Sequence, residues 1–394
     1  MRQEPSPLRI AFAGMVGLAV AMGLGRFVFT PILPGMMAGL GLSAFEAGLL
    51  ASANYLGYLL GAILAAGAWA QGRERGVVLA ALFSTALLLG AMGIGSSLTL
   101  FIVVRFLAGV ASAFALVFFS AIVLARVVAS GRQGLGALHF GGVGVGIAVS
   151  SVMIGLLVAY GGDWRAGWYW SGLIALAGAV LVAALLGRAS AAPSGRAAEP
   201  PLPRSRALTA MIVAYGLFGF GYIVTATFLV AIVRHGDGGR LFEAAVWLAT
   251  GLAGIPSVWL WNRIARPVGV VAAYALGCAA EAAGVLASVL VPGPAGPLLG
   301  GILLGGTFIA VTSLGLSLGR QLAGKAPRRA LALMTAAFGL GQVIGPVVAG
   351  HLADWTGDFT VASVVAAAVL LAAALVALAA RDPAVVPARP ITSR

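Results

Sequence analysis

The stretch RIAFAGMVGLAVAMGLGRFVFTPILP, residues 9–34, decides the class of fold to which this chain belongs. It is long enough to cross a bilayer as a helix, which needs about 20 mostly apolar residues. The start of the chain also resembles a signal peptide, with residues 19–21 as a cleavage site. Because the apolar run continues to Pro34 and eleven similar runs follow, we expect a retained membrane-spanning helix.

The composition extends that interpretation to the whole chain. The 394 residues are 61% hydrophobic and 9% charged, whereas soluble globular chains are about a quarter charged. A net charge of +13 often indicates a nucleic-acid partner, but here the basic residues lie mainly in short connectors, where they set membrane topology. The single Cys278 lies in an apolar run, so disulfides and cysteine metal sites are excluded. We predict no cofactor and no metal.

The recurring apolar runs predict twelve membrane helices in an all-α integral membrane protein. Their approximate bounds are 9–34, 45–70, 76–95, 98–125, 134–160, 165–187, 207–233, 242–262, 268–291, 297–319, 328–353 and 358–380. Arg and Lys concentrate in alternate connectors, and the other connectors hold only Arg165, Arg234 and Arg240. The positive-inside rule therefore predicts that both termini are cytoplasmic. Arg greatly outnumbers Lys, which suggests a GC-rich bacterial genome and hence a location in the bacterial inner membrane.

The segment 188–206 is rich in Pro, Ala and Arg and has no apolar period, which is typical of a flexible linker. It would divide the chain into an N-terminal six-helix bundle, residues 1–187, and a C-terminal bundle with a short tail, residues 207–394. The two parts also match locally, because GLGRFV at 23–28 aligns with GFGYIV at 219–224. We therefore expect two six-helix repeats with a substrate site between them near the midplane.

Several stretches resemble the major facilitator superfamily, and more narrowly its YbfB/YjiJ-type branch. Residues 105–109, RFLAG, resemble the arginine motif of that superfamily. The branch is indicated by GLGRFVFTPILP (23–34), SANYLGYLLGA (52–62), HFGGVGVGIA (139–148) and YGLFGFGYIVTATFL (215–229). The resemblance covers essentially the whole chain and implies the major facilitator fold and a transporter, without supplying a substrate.

The resemblance also implies conformational loops after helices 2 and 8. After Gly67 the first loop has Arg73 and Arg75 but lacks the acidic residue of the family pattern. The counterpart loop in the second half has Arg263 and Arg266. We predict that both loops contribute to the conformational change, although the first loop lacks the Asp on which the family's charge latch is built.

Arg26 and Arg105 are fixed positive charges inside long apolar segments. An ionised Arg at membrane depth costs roughly 2.5–3.5 kcal/mol on insertion scales, so it normally faces a cavity or a partner. Both lie ~10–12 Å below the predicted outer boundary, from the rise of 1.5 Å per helical residue. We predict an anion-binding pair, since Arg grips carboxylate or phosphate bidentately. The alternative is that each Arg bonds helix-end carbonyls or extends toward the interface.

Four polar side chains complete the predicted substrate site: Asn54, Tyr58, Tyr222 and Gln342. Tyr222 occupies the repeat position of Arg26, so the two halves would present different chemistry to one ligand. His139 can titrate near neutrality and is a candidate proton relay, with a packed histidine as an equal alternative. Glu281 lies near mid-membrane, on a helix that the resemblance places at the periphery, which favours a structural hydrogen bond over proton coupling.

These observations predict a monomeric secondary transporter that moves a small solute by alternating access. The site charge favours a small organic anion, driven by protons or by exchange. An efflux permease for amphipathic compounds is the first alternative, and a transport-fold sensor or scaffold without flux is the second. A membrane enzyme is disfavoured because clustered His, Asp or Glu residues are missing from the sequence. Apart from the membrane lipid, the predicted partners are the small-molecule substrate and protons.

Overall fold

The computed structural model describes residues 6–67, 69–132, 134–187, 199–234 and 238–380. Throughout those ranges the regular structure is helical, which confirms the predicted fold class. Twelve helices there are long and apolar enough to cross a membrane. They are α1 (Pro7–Leu40), α2 (Ala44–Ala65), α3 (Glu74–Ile94), α4 (Leu98–Ala129), α5 (Gly134–Ala159), α6 (Trp164–Leu186), α7 (Arg206–Arg234), α8 (Gly239–Val268), α9 (Val270–Leu290), α10 (Ala295–Leu322), α11 (Pro327–Thr356) and α12 (Thr360–Leu378).

Helix α1 is broken at its centre. Its first part is α-helical, residues Ala19–Leu24 form a π-helix, and the regular helix resumes at Phe29 after a turn. The amide of Gly25 donates to the Val20 carbonyl at 2.8 Å, which is a bond to the fifth residue back rather than the fourth. Such π-bulges are rare and are frequent at functional sites.

Pro31 helps to explain the break in α1. It lacks the N–H that would return a bond to the Phe27 carbonyl, and the Thr30 amide bonds that carbonyl instead at 3.2 Å. The helix nevertheless continues beyond the predicted end at Pro34 and stops at Leu40, where Gly41 has a φ of 67°. A residue with positive φ suits glycine, which carries no Cβ.

Two other helix ends differ from the prediction. Helix α2 ends at Ala65 instead of residue 70. Helix α8 continues to Val268 instead of ending at residue 262. It ends there because Gly269, with a φ of 83°, leaves the helical conformation. Arg263 and Arg266 therefore lie in the last turns of α8, so their placement in a loop was wrong.

The first six helices and the last six helices pack in the same way. Helix α2 packs on α4, α3 on α6 and α1 on α5, while α8 packs on α10, α9 on α12 and α7 on α11. The halves meet where α2 packs on α11 and α5 packs on α8. Gly144 allows the second contact, because a Cβ there would lie 2.6 Å from the Gly251 carbonyl oxygen.

The halves are joined at the end of the bundle opposite Pro7, which the positive-inside rule assigns to the outside and which we call the outer end. The Asp354 carboxylate on α11 accepts hydrogen bonds from the amides of Ala44 and Phe45, at 2.8 and 2.9 Å. These amides begin α2, where the helix dipole also favours a negative charge. At the same end the Ser151 hydroxyl donates to the Ala244 carbonyl at 2.5 Å.

The predicted linker lies largely outside the described residues, since 188–198 are not among them. Its described end contacts the second half: Glu199 accepts a hydrogen bond from the Arg328 guanidinium at 2.8 Å. The predicted division into bundles 1–187 and 207–394 remains a prediction.

Candidate substrate site

Arg26 lies on the irregular turn of α1 and is 2% exposed. Its guanidinium carbon lies 4.6 Å from the ring centre of Tyr55 and 4.5 Å from that of Tyr58, one helical turn apart on α2. Such cation–π contacts contribute about 0.5–2 kcal/mol each, but they satisfy no N–H group. The Nε and Nη2 atoms are buried and have no hydrogen-bond partner among the described residues. Arg26 therefore retains donors that point into the protein interior.

Arg105 on α4 is 1% exposed and has a similar environment. Its guanidinium carbon lies 4.5 Å from the ring centre of Phe29, just after the break in α1. In the described part of the chain its Nε and Nη2 atoms also have no hydrogen-bond partner. The predicted alternative, bonding to helix-end carbonyls, is thus not what the structure places around either guanidinium.

The side chain of Asn54 bonds the backbone of Arg105. The Asn54 amide donates to the Arg105 carbonyl oxygen at 2.9 Å, across the contact between α2 and α4. The two helices approach closely at Gly109, since a Cβ added there would lie 2.7 Å from the Tyr58 backbone nitrogen. Asn54 is fully buried, and its bond joins the two helices that carry Tyr58 and Arg105.

Tyr222 and Gln342 form the polar part of the second half. The Gln342 amide donates to the Tyr222 hydroxyl, joining α11 to α7. The Tyr222 hydroxyl accepts in that bond, so its own proton is left for an acceptor. The Gln342 carbonyl oxygen is buried, and none of the described residues bonds it. Sequence analysis proposed both residues, and the structure brings them into contact.

Stacked aromatic rings connect Tyr222 to Arg26. The ring of Tyr222 is parallel within 7° to that of Phe308 on α10, with centres 5.9 Å apart. Phe308 in turn contacts Phe27, the neighbour of Arg26, at 5.5 Å. Phe338 on α11 also stacks on Tyr222, with ring centres 5.6 Å apart. The buried cation and the buried phenol therefore lie at two ends of one aromatic wall that crosses from the first half to the second.

Direct hydrogen bonds between the halves surround this wall. The Tyr55 hydroxyl lies 3.2 Å from that of Thr227 on α7. The Thr30 hydroxyl donates to the Ala226 carbonyl at 2.5 Å. These contacts place the candidate site at the interface between the halves.

His139, the predicted proton relay, lies elsewhere. It is buried near the start of α5, and its Nε2 atom lies 3.0 Å from the Ser120 hydroxyl on α4. Its ring contacts Phe119 and Phe140, at 6.1 and 5.0 Å between ring centres. In the described ranges no carboxylate forms an ion pair with it. This environment favours the packed-histidine alternative.

The predicted conformational loop after α2 is a compact turn. The Gly67 amide donates to the Leu64 carbonyl at 3.0 Å, and the Trp69 indole donates to the same oxygen at 2.7 Å. Arg73 precedes α3, and Arg75 lies in its first turn. On the other half, Arg263 contacts the Trp259 ring at 5.8 Å. The conformational role of these residues remains a prediction.

Sequence analysis missed four aromatic residues of the site: Phe27, Phe29, Tyr55 and Phe308. Phe27 and Tyr55 are sequence neighbours of the predicted Arg26 and Asn54, and only the irregular turn of α1 brings both rings to one cation. Phe308 had no usable signal, since a phenylalanine in an apolar helix is indistinguishable from a lipid-facing or core residue.

Two similarly packed sets of six membrane-spanning helices, with the candidate site between them, define the class of this chain as a multi-pass membrane protein. The chain matches the family model described as "Uncharacterised MFS-type transporter YbfB" over residues 18–378. It therefore belongs to this family of the major facilitator superfamily, is a multi-pass membrane protein, and has the fold of secondary transporters rather than of enzymes. No curated protein sequence matches the chain significantly.

Solved transporter structures share the fold at low sequence identity. A mutant of the nucleoside transporter NupG superposes with a TM-score of 0.74 at 13% identity, covering 95% of this chain and 100% of that one. A bacterial homologue of the human lysosomal transporter Spinster, inward-facing and unoccupied, gives a TM-score of 0.70 at 13% identity, covering 95% and 97%. At this identity the likeness concerns the fold alone.

Proposed function

We propose that this protein is a secondary-active carrier for a small organic anion, which binds between the halves at Arg26. The observation that carries the proposal is the buried guanidinium of Arg26, whose Nε and Nη2 have no acceptor among the described residues. A buried, unpaired charge is strongly unfavourable, so a transient anionic partner would relieve it. A carboxylate fits because it accepts two parallel N–H bonds from one guanidinium.

The other residues of the site suggest how that anion is held. Arg105 adds positive charge beside the break in α1, and the Tyr222 proton can serve a ligand oxygen on the opposite side. The wall formed by Phe308, Phe338 and Tyr222 would cover an apolar or planar part of the solute. Tyr58 and Asn54 would act by supporting the two arginines.

The transport cycle would be a rocking of bundle 1–187 against bundle 207–394, with 188–206 as the connecting linker. Bonds such as those of Asp354 to the start of α2 close the outer end in this conformation. They are formed by a few polar groups, so they can open without unfolding either half. We further propose a monomer in the bacterial inner membrane with both termini in the cytoplasm, in agreement with the distribution of basic residues.

One observation favours the alternative of an efflux permease for amphipathic compounds. The wall is built of the stacked rings of Tyr222, Phe308 and Phe338, and aromatic rings also suit the apolar parts of amphipathic ligands. Arg26 and Arg105 argue against amphipathic cations as substrates, because both arginines would repel a positively charged ligand.

The proposal is tested with purified protein and two ligand panels. Membrane-impermeant aromatic and aliphatic carboxylates should raise the unfolding temperature, whereas amphipathic cations should not. Uptake of the best carboxylate into proteoliposomes should then exceed that of empty vesicles. Stabilisation by cations alone would support the efflux alternative, and stabilisation by an anion without flux would indicate a sensor.

A further inference from the structure

We infer that Glu281 on α9 is a proton-binding site. It carries its proton while the halves are joined at the outer end, as in this structure, and releases the proton when the halves rearrange. Glu281 is 1% exposed and lies at the interface of α9 and α10. The inference rests on the proposed function only in its alternating-access step. The proton site itself follows from the hydrogen bonds around the carboxyl group.

The hydrogen-bond count at Thr307 assigns the proton. The Thr307 hydroxyl oxygen lies 2.6 Å from the Leu303 carbonyl oxygen and 2.9 Å from Oε2 of Glu281. A hydroxyl has one hydrogen, and a carbonyl oxygen can only accept. We assign the Thr307 hydrogen to the shorter bond, which leaves Glu281 to supply the hydrogen of the other bond. A carboxyl group that donates is protonated.

The other described carboxylates provide the contrast. Each accepts at least one hydrogen bond from an N–H group, as the ionised form requires. They are Glu46, Glu74, Asp163, Glu199, Glu243, Asp354 and Asp358. Glu281 receives no N–H, and its Oε1 atom has no partner within the described residues. An ionised carboxylate so placed would be buried without compensation, which is strongly unfavourable.

Among the described residues, no cation faces Glu281. Tyr274 and Cys278 on α9 and Tyr222 on α7 are the titratable groups that interact electrostatically with it. Helix α12, which packs on α9, has no titratable residue between 360 and 378. The charged residues of α7, α8 and α10 lie near the ends of those helices, at positions 206, 234, 240, 243, 263, 266 and 320. Nothing described near Glu281 would stabilise its ionised form in this conformation.

Helix α10 links this proton to the substrate site. Thr307 bonds Glu281 on one side of the helix, and the next residue, Phe308, stacks on Tyr222 and contacts Phe27 on the other. When Glu281 loses its proton to water, the Thr307 hydroxyl can turn from Leu303 and donate to the carboxylate. That change alters the helix turn that holds Phe308, so the proton biases the interface between the halves.

The protonation state is tested by infrared spectroscopy of the purified protein at neutral pH. The carbonyl stretch of a protonated carboxyl group should be present in the wild type, lost in Glu281→Gln and unchanged in Asp163→Asn, where asparagine can still cap α6. Thr307→Val should shift this band without removing it, because the carboxyl loses its partner. A band that persists in Glu281→Gln would overturn the assignment.

The conformational role is tested by distances between spin labels at the outer end. Tyr160 and Trp355, 87% and 78% exposed on opposite halves, can be replaced by cysteine, since the native Cys278 is buried. The distance distribution should change between about pH 5 and about pH 9 in the wild type and in Asp163→Asn. In Glu281→Gln it should stay at the acidic distribution.

A wild-type pH response that survives in Glu281→Gln, or no response at all in the wild type, would refute the coupling. Neither measurement needs a substrate. If the ligand panels fail while these two results hold, the anion proposal fails and the proton site stands.

Discussion

The break in α1 and the matching segment of α7 show how one repeated sequence acquired two different structures. In α1 the segment 23–28 contains a π-bulge, a turn and the charged Arg26. In α7 the segment 219–224 is regular helix and carries Tyr222 at the same position. The repeat extends to helix packing, because α1 packs on α5 as α7 packs on α11. The counterparts Thr30 and Ala226, 196 residues apart, are also joined by a hydrogen bond.

The physical cause of the difference lies just beyond the segment. Pro31 in α1 withholds an N–H, while its counterpart Thr227 in α7 has one. The irregular turn places Arg26 against two tyrosines, whereas the regular helix holds Tyr222 against Gln342. The first half thus supplies a charge without an acceptor, and the second supplies a neutral hydrogen-bonded pair whose Gln342 carbonyl oxygen has no partner among the described residues.

The largest expected effect comes from removing that charge. Arg26→Ala should lower carboxylate uptake by about 100-fold or more, because two charge-assisted hydrogen bonds of about 1.5–3 kcal/mol each are lost. Arg26→Lys should retain part of the activity, since a lysine keeps the charge but not the bidentate geometry. Proteoliposome uptake measures both.

Arg9→Ala is the matched control, because Arg9 lies on the same helix and bonds a backbone carbonyl at its exposed end. It should transport normally. Equal amounts of each variant in the membrane must be verified. Undiminished uptake by Arg26→Ala would show that Arg26 does not bind the substrate. The break in α1 would then give this helix no function that α7 lacks.

The second effect concerns the packing that permits the break. A Cβ on Gly23 would overlap the backbone of Gly146 on α5, so Gly23→Ala must push the two helices apart. Overpacking of this kind costs about 1–3 kcal/mol. The unfolding temperature should fall clearly, and uptake should fall with it.

Gly306→Ala is the control for this variant, since a Cβ on that helical glycine meets nothing within 4 Å. It should leave the unfolding temperature unchanged or slightly raised, because alanine favours a helix by about 0.5–1 kcal/mol. If both variants behave alike, close backbone contact is not what holds the broken segment of α1.

Much of this architecture could be predicted from the sequence, and the limits have identifiable causes. Apolar runs identify twelve helices, and matches such as 23–28 with 219–224 identify the repeat. The pattern cannot reveal that α1 is irregular, since the π-bulge depends on hydrogen bonds rather than on hydropathy. It also missed Thr307, because the partner of Glu281 lies on another helix at no fixed spacing. The candidate site residues were proposed where a polar group is anomalous in an apolar run, and their role in binding remains a prediction.

A third and smaller effect is expected on the regular side of the comparison. Tyr222→Phe keeps the ring against Phe308 and Phe338 but removes the hydroxyl. The Gln342 amide then loses its acceptor, which costs about 1–3 kcal/mol for a buried polar group. We expect a lower unfolding temperature and a reduction in uptake well below that of Arg26→Ala. A loss as large as that of Arg26→Ala would mean that the two halves contribute equally to binding.

The smallest effect is expected at His139. This variant tests whether His139 of the first half or Glu281 of the second half causes the pH response. His139 bonds Ser120 and packs between Phe119 and Phe140, so its ring is held by contacts that a neutral amide can partly replace. His139→Asn should therefore keep the wild-type pH response of the outer-end distance, with at most a modest loss of thermal stability. Glu281→Gln should abolish that response in the same assay. If His139→Asn abolished it instead, the proton would be carried by the half that also holds Arg26, and the division of charge and proton between the halves would be wrong.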